Sequence, residues 1–518
     1  MEENPEKRKK TWLTVAFSLG VAASLLFLFL LFLFLMVKNS KEDPYDSHDH
    51  EAETPSGPRA NSPPRGWNSY DSFSWTIDEE QFLSNARVLS NTFSKFGYQY
   101  AVVDFLWYRK MVAHSSVWAS GLDVIDEWGR PIPDPARWPS SRGGYGFKNV
   151  ASQIHQMGLK FGIHVMRGIS TQAINANTPI MDSNGEAYRS GGRIWRARDI
   201  ALTKKPCGWM PACFTSIDTS SGAGLAFLQS LYQLYDEWGV DFVKHDCVFG
   251  DDFNEDEIKA ISEILKEKDR PIVYSISPGT HVTPAMAEKV KDFVNMYRVT
   301  GDDWDTWSDF STHFDVARDF AQGGFIGSRG LEGTSWPDLD MLPFGWLTDP
   351  NSNQGPHRNS SLTVDEQKAQ MTLWAMAKSP LFLGGDLRNL DSTTLYITTN
   401  AAILEIHNTS SHNRELSNIQ IKDLRIWGAN GTTGEVYIAV FNLGSSEKLV
   451  TVKFEDVIRD FIHQELRGGG GEEICTGFDI WERKELGEIN DTLSFSITKH
   501  GCVALVLKCT PEAAERPI

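Results

Sequence analysis

The stretch Val240-Asp-Phe-Val-Lys-His-Asp246 is an apolar run that ends in charged residues, and it directly follows Gly239. Before that glycine, apolar residues recur at the spacing of a helix: Leu228, Leu231, Tyr235 and Trp238. Glycine commonly ends a helix, so the pattern predicts a helix, a tight stop and a short buried strand. A helix followed by such a strand is the repeating unit of α/β folds.

The same unit recurs along the chain from about residue 63 to residue 390. The predicted strands, separated by helices, are Gly66–Ser69, Tyr100–Asp104, Leu159–His164, Val240–Asp246, Pro271–Ser277, Phe293–Arg298, Gly324–Ser328 and Leu381–Gly385. Parallel strands joined by crossover helices need cover on both faces, and eight of them favour a closed barrel. We therefore predict an α/β fold, a (β/α)8 TIM barrel, over residues 63–409.

The remainder of the chain, residues 410–518, has a different pattern. Val436, Ile438 and Val440 alternate with other residues, and similar alternation recurs at 450–454 and 493–497. Glycine-rich segments separate these runs as turns. The pattern predicts a small C-terminal antiparallel β-sandwich.

The N-terminus predicts how the protein is anchored. A basic cluster, Lys7–Lys10, lies in a short tail of residues 1–11 and precedes the uncharged run Trp12–Val37. That run exceeds the ~20 residues needed to cross a hydrocarbon core, which favours an N-terminal transmembrane signal anchor over a long cleaved signal peptide. Residues 38–62 are polar and acidic, as expected of a flexible stem.

The orientation follows from the basic cluster. Positive charge stays in the cytosol, so we expect a single-pass type II membrane protein whose folded part after the stem is lumenal or extracellular, in the Golgi, the secretory pathway or at the cell surface. Four acceptor motifs for N-glycosylation agree with this orientation: Asn359, Asn408, Asn430 and Asn490.

Composition excludes several classes of function. The 518 residues carry a net charge of −18, which argues against nucleic acid as a partner. With 41% hydrophobic and 11% aromatic residues the chain can bury large cores. The sequence contains no metal-ligand cluster and no dinucleotide fingerprint, so neither a metal nor a cofactor is expected.

Six cysteines are too few for a disulfide scaffold. In an oxidising lumen, we expect Cys207 to pair with Cys213, in a loop whose Trp209 suggests the mouth of the barrel. Cys475 has two candidate partners, Cys502 and Cys509, and Cys247 is expected to be a packed free thiol.

Polar residues end several of the predicted strands. In a (β/α)8 barrel the active site is built at the carboxyl ends of the strands, so these side chains are expected to converge. They are Asp104, His164, Lys244, Asp246, Arg298 and, one turn later, Asp302. A single such acid is more often a helix cap, but two carboxylates beside a cation in a barrel mouth are what glycoside hydrolysis requires.

Six motifs in order resemble the melibiase family of retaining α-galactosidases. They are Pro-Pro-Arg-Gly-Trp-Asn-Ser (63–69), Gly-Leu-Lys-Phe-Gly-Ile-His (158–164), Val-Asp-Phe-Val-Lys-His-Asp (240–246), Tyr-Arg-Val-Thr-Gly-Asp (297–302), Trp-Pro-Asp-Leu-Asp-Met-Leu (336–342) and Lys-Ser-Pro-Leu-Phe-Leu-Gly-Gly-Asp-Leu-Arg (378–388). The resemblance covers residues 63 to 410 and implies a sandwich after them.

The resemblance implies roles for individual residues. Asp246 becomes the nucleophile, and Asp302 becomes the acid/base, with Asp303 as a rival. The implied substrate contacts are Trp67 as an apolar platform, with Asp104, Lys244, Arg298 and Asp340 as hydroxyl partners, and His164 where members often have Tyr. We expect Lys244 to keep Asp246 ionised, and a retaining mechanism requires the two catalytic carboxylates to lie ~5–5.5 Å apart.

Two departures from the family pattern bear on specificity. Where familiar members have Asp-Asp-Cys-Trp, this chain has Asp104-Phe105-Leu106-Trp107, so the second acid, which helps to hold the 6-hydroxyl of galactose, is absent. A buried CH2OH would lose a partner at ~1–3 kcal/mol, whereas β-L-arabinopyranose, which lacks that carbon, would lose nothing. Ser277 also stands where many members carry Glu.

The resemblance therefore implies a carbohydrate-binding enzyme, an α-galactosidase that removes terminal α-D-galactose. The alternatives are a β-L-arabinopyranosidase acting on cell-wall or arabinogalactan glycans, and a transglycosylase that uses the same covalent intermediate. A non-catalytic glycan-binding module would be expected to lack Asp246 or Asp302, and both are present. The sequence leaves the oligomeric state open.

Overall fold

The computed structural model describes residues 58–459, 461, 473–489 and 491–511. The predicted cytoplasmic tail, the transmembrane segment 12–37 and nearly all of the stem lie outside these residues. Within the described part of the chain, no helix combines the length and the apolar character needed to cross a bilayer.

Eight parallel strands form one curled sheet. They are β1 (Arg65–Asn68), β2 (Tyr100–Val103), β3 (Lys160–Met166), β4 (Phe242–Phe249), β5 (Val273–Pro278), β6 (Met296–Arg298), β7 (Gly333–Asp338) and β8 (Leu381–Leu383). Each of β1 to β6 pairs with the next in sequence, and β8 pairs with β1. Just after β7, Leu342 pairs in parallel with Leu383 of β8, so the sheet curls back towards its starting strand. This is the strand order of the predicted barrel.

Helices connect the strands and cover the outside of the curled sheet. The longer ones are Glu79–Val88, Lys148–Gln156, Gly222–Trp238, Glu255–Lys266, Pro284–Val290, Trp307–Gln322, Val364–Met376, Ser392–Thr398 and Ala401–Thr409. The helix that precedes β4 ends as predicted, with Gly239 in the left-handed conformation at φ 82°.

The seventh strand lies elsewhere than predicted. Residues 324–328 were expected to form it, but Gly324 and Gly327 have φ of 73° and 68°, so this segment turns. The parallel strand is Gly333–Asp338, which contains Pro337 opposite Tyr297. Because proline cannot donate to a strand ladder, its presence argued against a strand there.

The interior of the curled sheet is filled by one small apolar cluster. Its members are Tyr100, Val102, Phe242, Val273, Met296, Met341 and Phe382. The large side chains are accommodated because neighbouring strands carry glycine at the same level. A Cβ on Gly66 would lie 2.3 Å from the backbone oxygen of Tyr100 and 2.9 Å from the ring of Phe382. The floor of the barrel therefore depends on Gly66.

The C-terminal part of the chain forms the predicted antiparallel structure. Its strands are β9 (Ser411–Glu415), β10 (Leu424–Asn430), β11 (Glu435–Asn442), β12 (Lys448–Lys453), β13 (Glu473–Asp479), β14 (Lys484–Ile489), β15 (Thr492–Ile497) and β16 (Cys502–Pro511). One sheet has the order β9-β10-β11-β16-β13-β14, and β12 pairs with β15. The alternating Val436, Ile438 and Val440 lie in a core between them.

The disulfide pairing differs in part from the prediction. Cys207 pairs with Cys247, not with Cys213, and Cys247 is therefore not a free thiol. Cys213 is a buried free cysteine instead. Of the two candidates for Cys475, Cys509 on the adjacent strand is the partner. Sequence spacing favoured two cysteines of one loop, whereas the fold brings Cys207 to the end of β4.

Candidate functional site

A cavity of about 260 Å³ opens at the carboxyl ends of the barrel strands. Seven of the eight residues predicted to form the site line it together: Asp104, His164, Lys244, Asp246, Arg298, Asp302 and Asp340. Trp67 is the exception. Residues from at least five strands or the loops after them thus meet in one place, as expected for a barrel of this type.

The convergence follows from the two-residue period of the strands. Side chains alternate between the two faces of a strand, so residues two apart in sequence share a face. Phe242 belongs to the apolar floor, which places Lys244 and then Asp246 successively higher on the same inner face. His245 points outwards, where its Nδ1 lies 2.9 Å from the hydroxyl of Tyr274.

Asp246 is held by two hydrogen bonds. Its Oδ2 lies 2.9 Å from Nε2 of His164, and its Oδ1 accepts the backbone N–H of Cys247 at 2.5 Å. Burial raises the pKa of Asp246, but the hydrogen bond to His164, aided by the charge of Lys244, outweighs burial and lowers the pKa below its ordinary value. Asp246 is therefore an ionised carboxylate at neutral pH, as a nucleophile must be.

Lys244 makes its direct ion pair with a different acid. Its Nζ lies 3.0 Å from Oδ2 of Asp104, which also accepts a hydrogen bond from Asn68 at 2.7 Å. Burial raises the pKa of Asp104, but Lys244 and the hydrogen-bond donors outweigh burial and lower the pKa well below its usual range. Lys244 thus acts on Asp246 through its charge and not through a direct contact.

Arg298 pairs with two acids on the opposite wall. One terminal nitrogen lies 2.7 Å from Asp340, and the other lies 3.3 Å from Asp302. Burial raises the pKa of Asp340 to about 7; Arg298 opposes this shift, and Asp302 adds to it. This wall therefore carries a buried carboxyl group whose pKa is raised although it pairs directly with Arg298.

The structure separates Asp302 from its rival Asp303. The side chain of Asp302 is 58% exposed in the mouth of the cavity, whereas that of Asp303 is fully buried. Asp303 accepts a hydrogen bond from Gln370, and its backbone N–H donates to Asp340. Asp303 therefore has a supporting position, and Asp302 is the acid that can reach both a substrate and water.

Trp67 is not the apolar platform that the resemblance implies. It is fully buried, packs against Phe73 and Phe82, and donates its indole N–H to the backbone of Gly385. The register of β1 explains this: Gly66 and Asn68 occupy the inner face, so Trp67 faces outwards. Tyr70, in the short helix that follows, lines the cavity instead.

An aromatic wall surrounds Phe105. Its ring lies 6.1 Å from that of Tyr70, 5.8 Å from that of His164 and 5.5 Å from that of Trp209. Trp209 thus lies at the cavity, as its loop suggested. Ser277 is fully buried and is not among the cavity-lining residues, whereas the neighbouring Pro278 is.

Asp71 is a site residue that the motifs did not reveal. It lines the cavity, is 1% exposed, and its Oδ2 has no hydrogen-bond partner among the residues that the structure describes. The oxygen packs against Gly384, where a Cβ would lie only 1.9 Å away. Burial, with the nearby Asp340, raises the pKa of Asp71 well above its ordinary value. Its position just after β1 was the available signal, because acids after other strands were recognised in that way.

One group of side chains has the proximity that a metal site needs. In the described ranges, Cys207, Cys247 and Asp252 are the only such group of three. The two sulfurs are joined in a disulfide, so they offer no thiolate ligands. The catalytic cavity instead combines an ionised carboxylate, an exposed carboxyl group and two cations, which suits acid/base chemistry with a covalent intermediate.

Comparison with known proteins gives matches to two family models. Residues 215–409 match the model described as alpha galactosidase A, and residues 422–507 match the alpha galactosidase C-terminal beta sandwich domain. The α-galactosidase of Cyamopsis tetragonoloba is 23% identical over 86% of each chain.

Solved protein structures also resemble the structure of this chain. Abp, a GH27 β-L-arabinopyranosidase from Geobacillus stearothermophilus, is 33% identical with a TM-score of 0.76, covering 89% of this chain and 98% of its own. A variant of Abp in complex with arabinose has a TM-score of 0.75 at the same identity, covering 88% of this chain and 98% of its own.

We expect Asp71→Asn to stabilise the protein at neutral pH. The pKa of Asp71 is higher in the folded state than in the unfolded state, where it is ordinarily ~3.9. Such a carboxyl group lowers the free energy of unfolding as the pH rises above the unfolded-state pKa, because only the unfolded state can then readily ionise it. The amide cannot ionise, so the variant should be more stable than wild type at pH 7 and lose this advantage near pH 4. Thermal unfolding followed at both pH values measures the difference. An equal change at the two pH values would contradict the expectation.

Proposed function

We propose a retaining exo-glycosidase activity for this chain, which belongs to the melibiase family of glycoside hydrolases. The proposed reaction removes terminal α-D-galactose from glycans or oligosaccharides. The observation that carries it is the pair formed by a buried, ionised Asp246 and an exposed Asp302 in one cavity. The α-galactosidases among its relatives support the glycone.

The reaction proceeds in two displacements. The carboxylate of Asp246 attacks the anomeric carbon while Asp302 protonates the glycosidic oxygen, so the aglycone leaves and a glycosyl ester forms. Asp302 then removes a proton from water, which attacks the same carbon and releases Asp246. Lys244, with Asp104, and Arg298, with Asp340, are placed to bind the hydroxyls of the sugar, and His164 keeps Asp246 oriented.

We expect the two catalytic variants to fail in different ways. Asp246→Ala should lose turnover of every glycoside, and azide should restore product as a glycosyl azide of inverted configuration. Asp302→Ala should lose about 10²–10⁴-fold on substrates whose leaving group needs a proton, and much less on a dinitrophenyl glycoside.

Kinetics with the two leaving groups, and analysis of the azide product, test these roles. Asp303→Asn is the comparison for Asp302→Ala. If Asp303→Asn and not Asp302→Ala showed the dependence on the leaving group, the acid/base assignment would be wrong.

A second candidate glycone is β-L-arabinopyranose, and Phe105 favours it. The family's second acid would face the 6-hydroxyl of galactose, but Phe105, packed against Trp209, presents carbon there. A pentopyranose with the same ring hydroxyls has no C5 substituent to desolvate. The 33% identical Abp, described as a β-L-arabinopyranosidase, supports this candidate.

The glycone preference can be shifted at this position. Phe105→Asp should raise the ratio of kcat/KM for aryl α-D-galactopyranoside to that for aryl β-L-arabinopyranoside by roughly tenfold, the equivalent of one hydrogen bond. Phe105→Leu removes the ring and adds no acceptor, so it should not produce the same shift. An equal ratio in both variants would show that the acid at this position does not recognise the 6-hydroxyl.

We further propose that residues 12–37 anchor the enzyme as a type II membrane protein, with residues 58 onward in the lumen. Two of the acceptor asparagines, Asn359 and Asn408, are exposed and can carry glycans. Asn430 donates its side-chain N–H to the backbone of Phe461 and is less available, and Asn490 lies outside the described residues.

In microsomes, added protease should remove only the short N-terminal tail, and the double variant N359Q/N408Q should lose most of the mobility shift caused by glycosidase treatment. A soluble secreted product that begins near residue 38 would contradict the anchor.

A further inference from the structure

An arm of the chain, Ile169–Ile217, rises from the carboxyl end of β3 on the side of the cavity. It contains the strands Ile169–Ser170, Arg189–Ser190, Arg193–Ile194, Ala201–Pro206 and Phe214–Ile217, and the helices Thr171–Ala176 and Ala197–Ile200. Six exposed cations lie in its central part: Arg189, Arg193, Arg196, Arg198, Lys204 and Lys205. In a chain with a net charge of −18, this is a local reversal of sign.

These cations are largely unpaired. Within the described ranges, Arg193 alone among the six has an ion-pair partner, Asp199 at 2.8 Å. The guanidinium groups of Arg196 and Arg198 donate to backbone carbonyls. Asp199, which pairs with Arg193, also interacts with the charge of Arg196, so one carboxylate faces several cations. Because like charges placed close together cost free energy unless a counter-charge is present, such a surface favours an anionic ligand.

The backbone that carries the two lysines is held in a defined position. Strand Ala201–Pro206 pairs with Phe214–Ile217 at Leu202 and again at Pro206, so residues 203–205 bulge outwards. The buried hydroxyl of Thr215 lies 2.6 Å from the backbone oxygen of Leu202 and 3.1 Å from that of Lys205, on both sides of the bulge. Bulges of this kind commonly direct side chains beside active sites.

The bulge is joined closely to the catalytic cavity. Two residues after Lys205, Cys207 forms the disulfide with Cys247, which directly follows Asp246. Four residues after Lys205, Trp209 lines the cavity, and its ring lies 6.0 Å from that of Trp118, which is 43% exposed. Four extended residues span at most ~14 Å, so the lysines lie within the reach of a short oligosaccharide whose end occupies the cavity.

We propose that the cationic arm binds a glycan that bears carboxylates, and that it does so on the aglycone side of the site. The inference rests on the proposed function, because an exo-glycosidase encloses only the terminal sugar and the rest of the glycan must leave through the mouth. Uronate carboxylates match arginine and lysine donors. Arg193 also stacks on the ring of Trp195 at 4.6 Å, which helps to hold this guanidinium in place on the arm.

An anionic membrane is the other class of ligand that such charges attract. The net charge of −18 opposes it, because a flat anionic surface faces the whole protein and not the arm alone. A single glycan chain contacts only the arm and the cavity mouth, so it gains the local attraction without the global repulsion.

Binding is tested with the full-length chain and the double variant K204E/K205E. The matched control is R483E/K484E, which reverses another adjacent exposed cation pair, on the sandwich, where β14 begins. In affinity electrophoresis at low salt, polygalacturonate should retard wild type and the control, and K204E/K205E should bind roughly tenfold more weakly. Retardation should disappear at high salt. Equal binding by both variants, or no retardation of wild type, would overturn the proposal.

Two further readouts separate the alternatives. Vesicles that contain phosphatidylserine should retain wild type no better than vesicles of phosphatidylcholine alone, to which the anchor gives the same affinity. Stronger retention by the phosphatidylserine vesicles that K204E/K205E abolishes, without retardation by polygalacturonate, would show that the arm binds an anionic membrane and not a glycan. With substrates that share one terminal sugar, K204E/K205E should lower the ratio of kcat/KM on a uronate-bearing oligosaccharide to that on an aryl glycoside, through KM. If wild type cleaves neither substrate, the proposed function is wrong. The binding of polygalacturonate would still test whether the arm binds an anionic glycan.

Discussion

Six carboxyl groups and two permanent cations line one small cavity, and the pairing of these charges is the constraint on which the rest of the site depends. A charge removed from water is costly unless an opposite charge or hydrogen bonds compensate it. Lys244 compensates Asp104, and Arg298 compensates Asp340 in part. The two ion pairs lie on opposite walls of the cavity. Asp246 lies where His164 and a backbone N–H hold it ionised, and Asp302 lies where water reaches it.

Much of this arrangement can be predicted from the sequence, because the strand period is strict. A strand that ends in Lys-x-Asp must place both side chains on one face, and an apolar floor beneath them decides which face. The same rule explains the error at Trp67: with Gly66 on the inner face, the next residue must point outwards, and Tyr70 becomes the aromatic side chain of the cavity. The motif thus predicts the position of Trp67 in the chain, whereas the strand period decides the face on which its side chain lies.

Other features depend on contacts between distant parts of the chain and could not be predicted. The strand Gly333–Asp338 contains a proline that local rules exclude, and it is retained because β6 on one side and the hairpin with Ser328–Gly330 on the other hold it in place. The partner of Cys207 depends on the fold of the arm, which no periodicity describes. The position of Asp71 after β1 is visible in the sequence, but the lack of a hydrogen-bond partner for its Oδ2 among the described residues depends on the packing around Gly384.

The corrected disulfide changes how the parts of the site are related. Cys247 follows Asp246 and donates its backbone N–H to that carboxylate, so the disulfide joins the residue that positions Asp246 to the arm that carries Trp209. Trp209 packs against Phe105, and Phe105 packs against His164. His164 in turn forms the hydrogen bond with Asp246. Asp246, the aromatic wall and the rim of the mouth therefore form one closed ring of contacts. In such a ring, a change in the wall proposed to select the sugar can also move the proposed nucleophile, so specificity and rate would be coupled by packing.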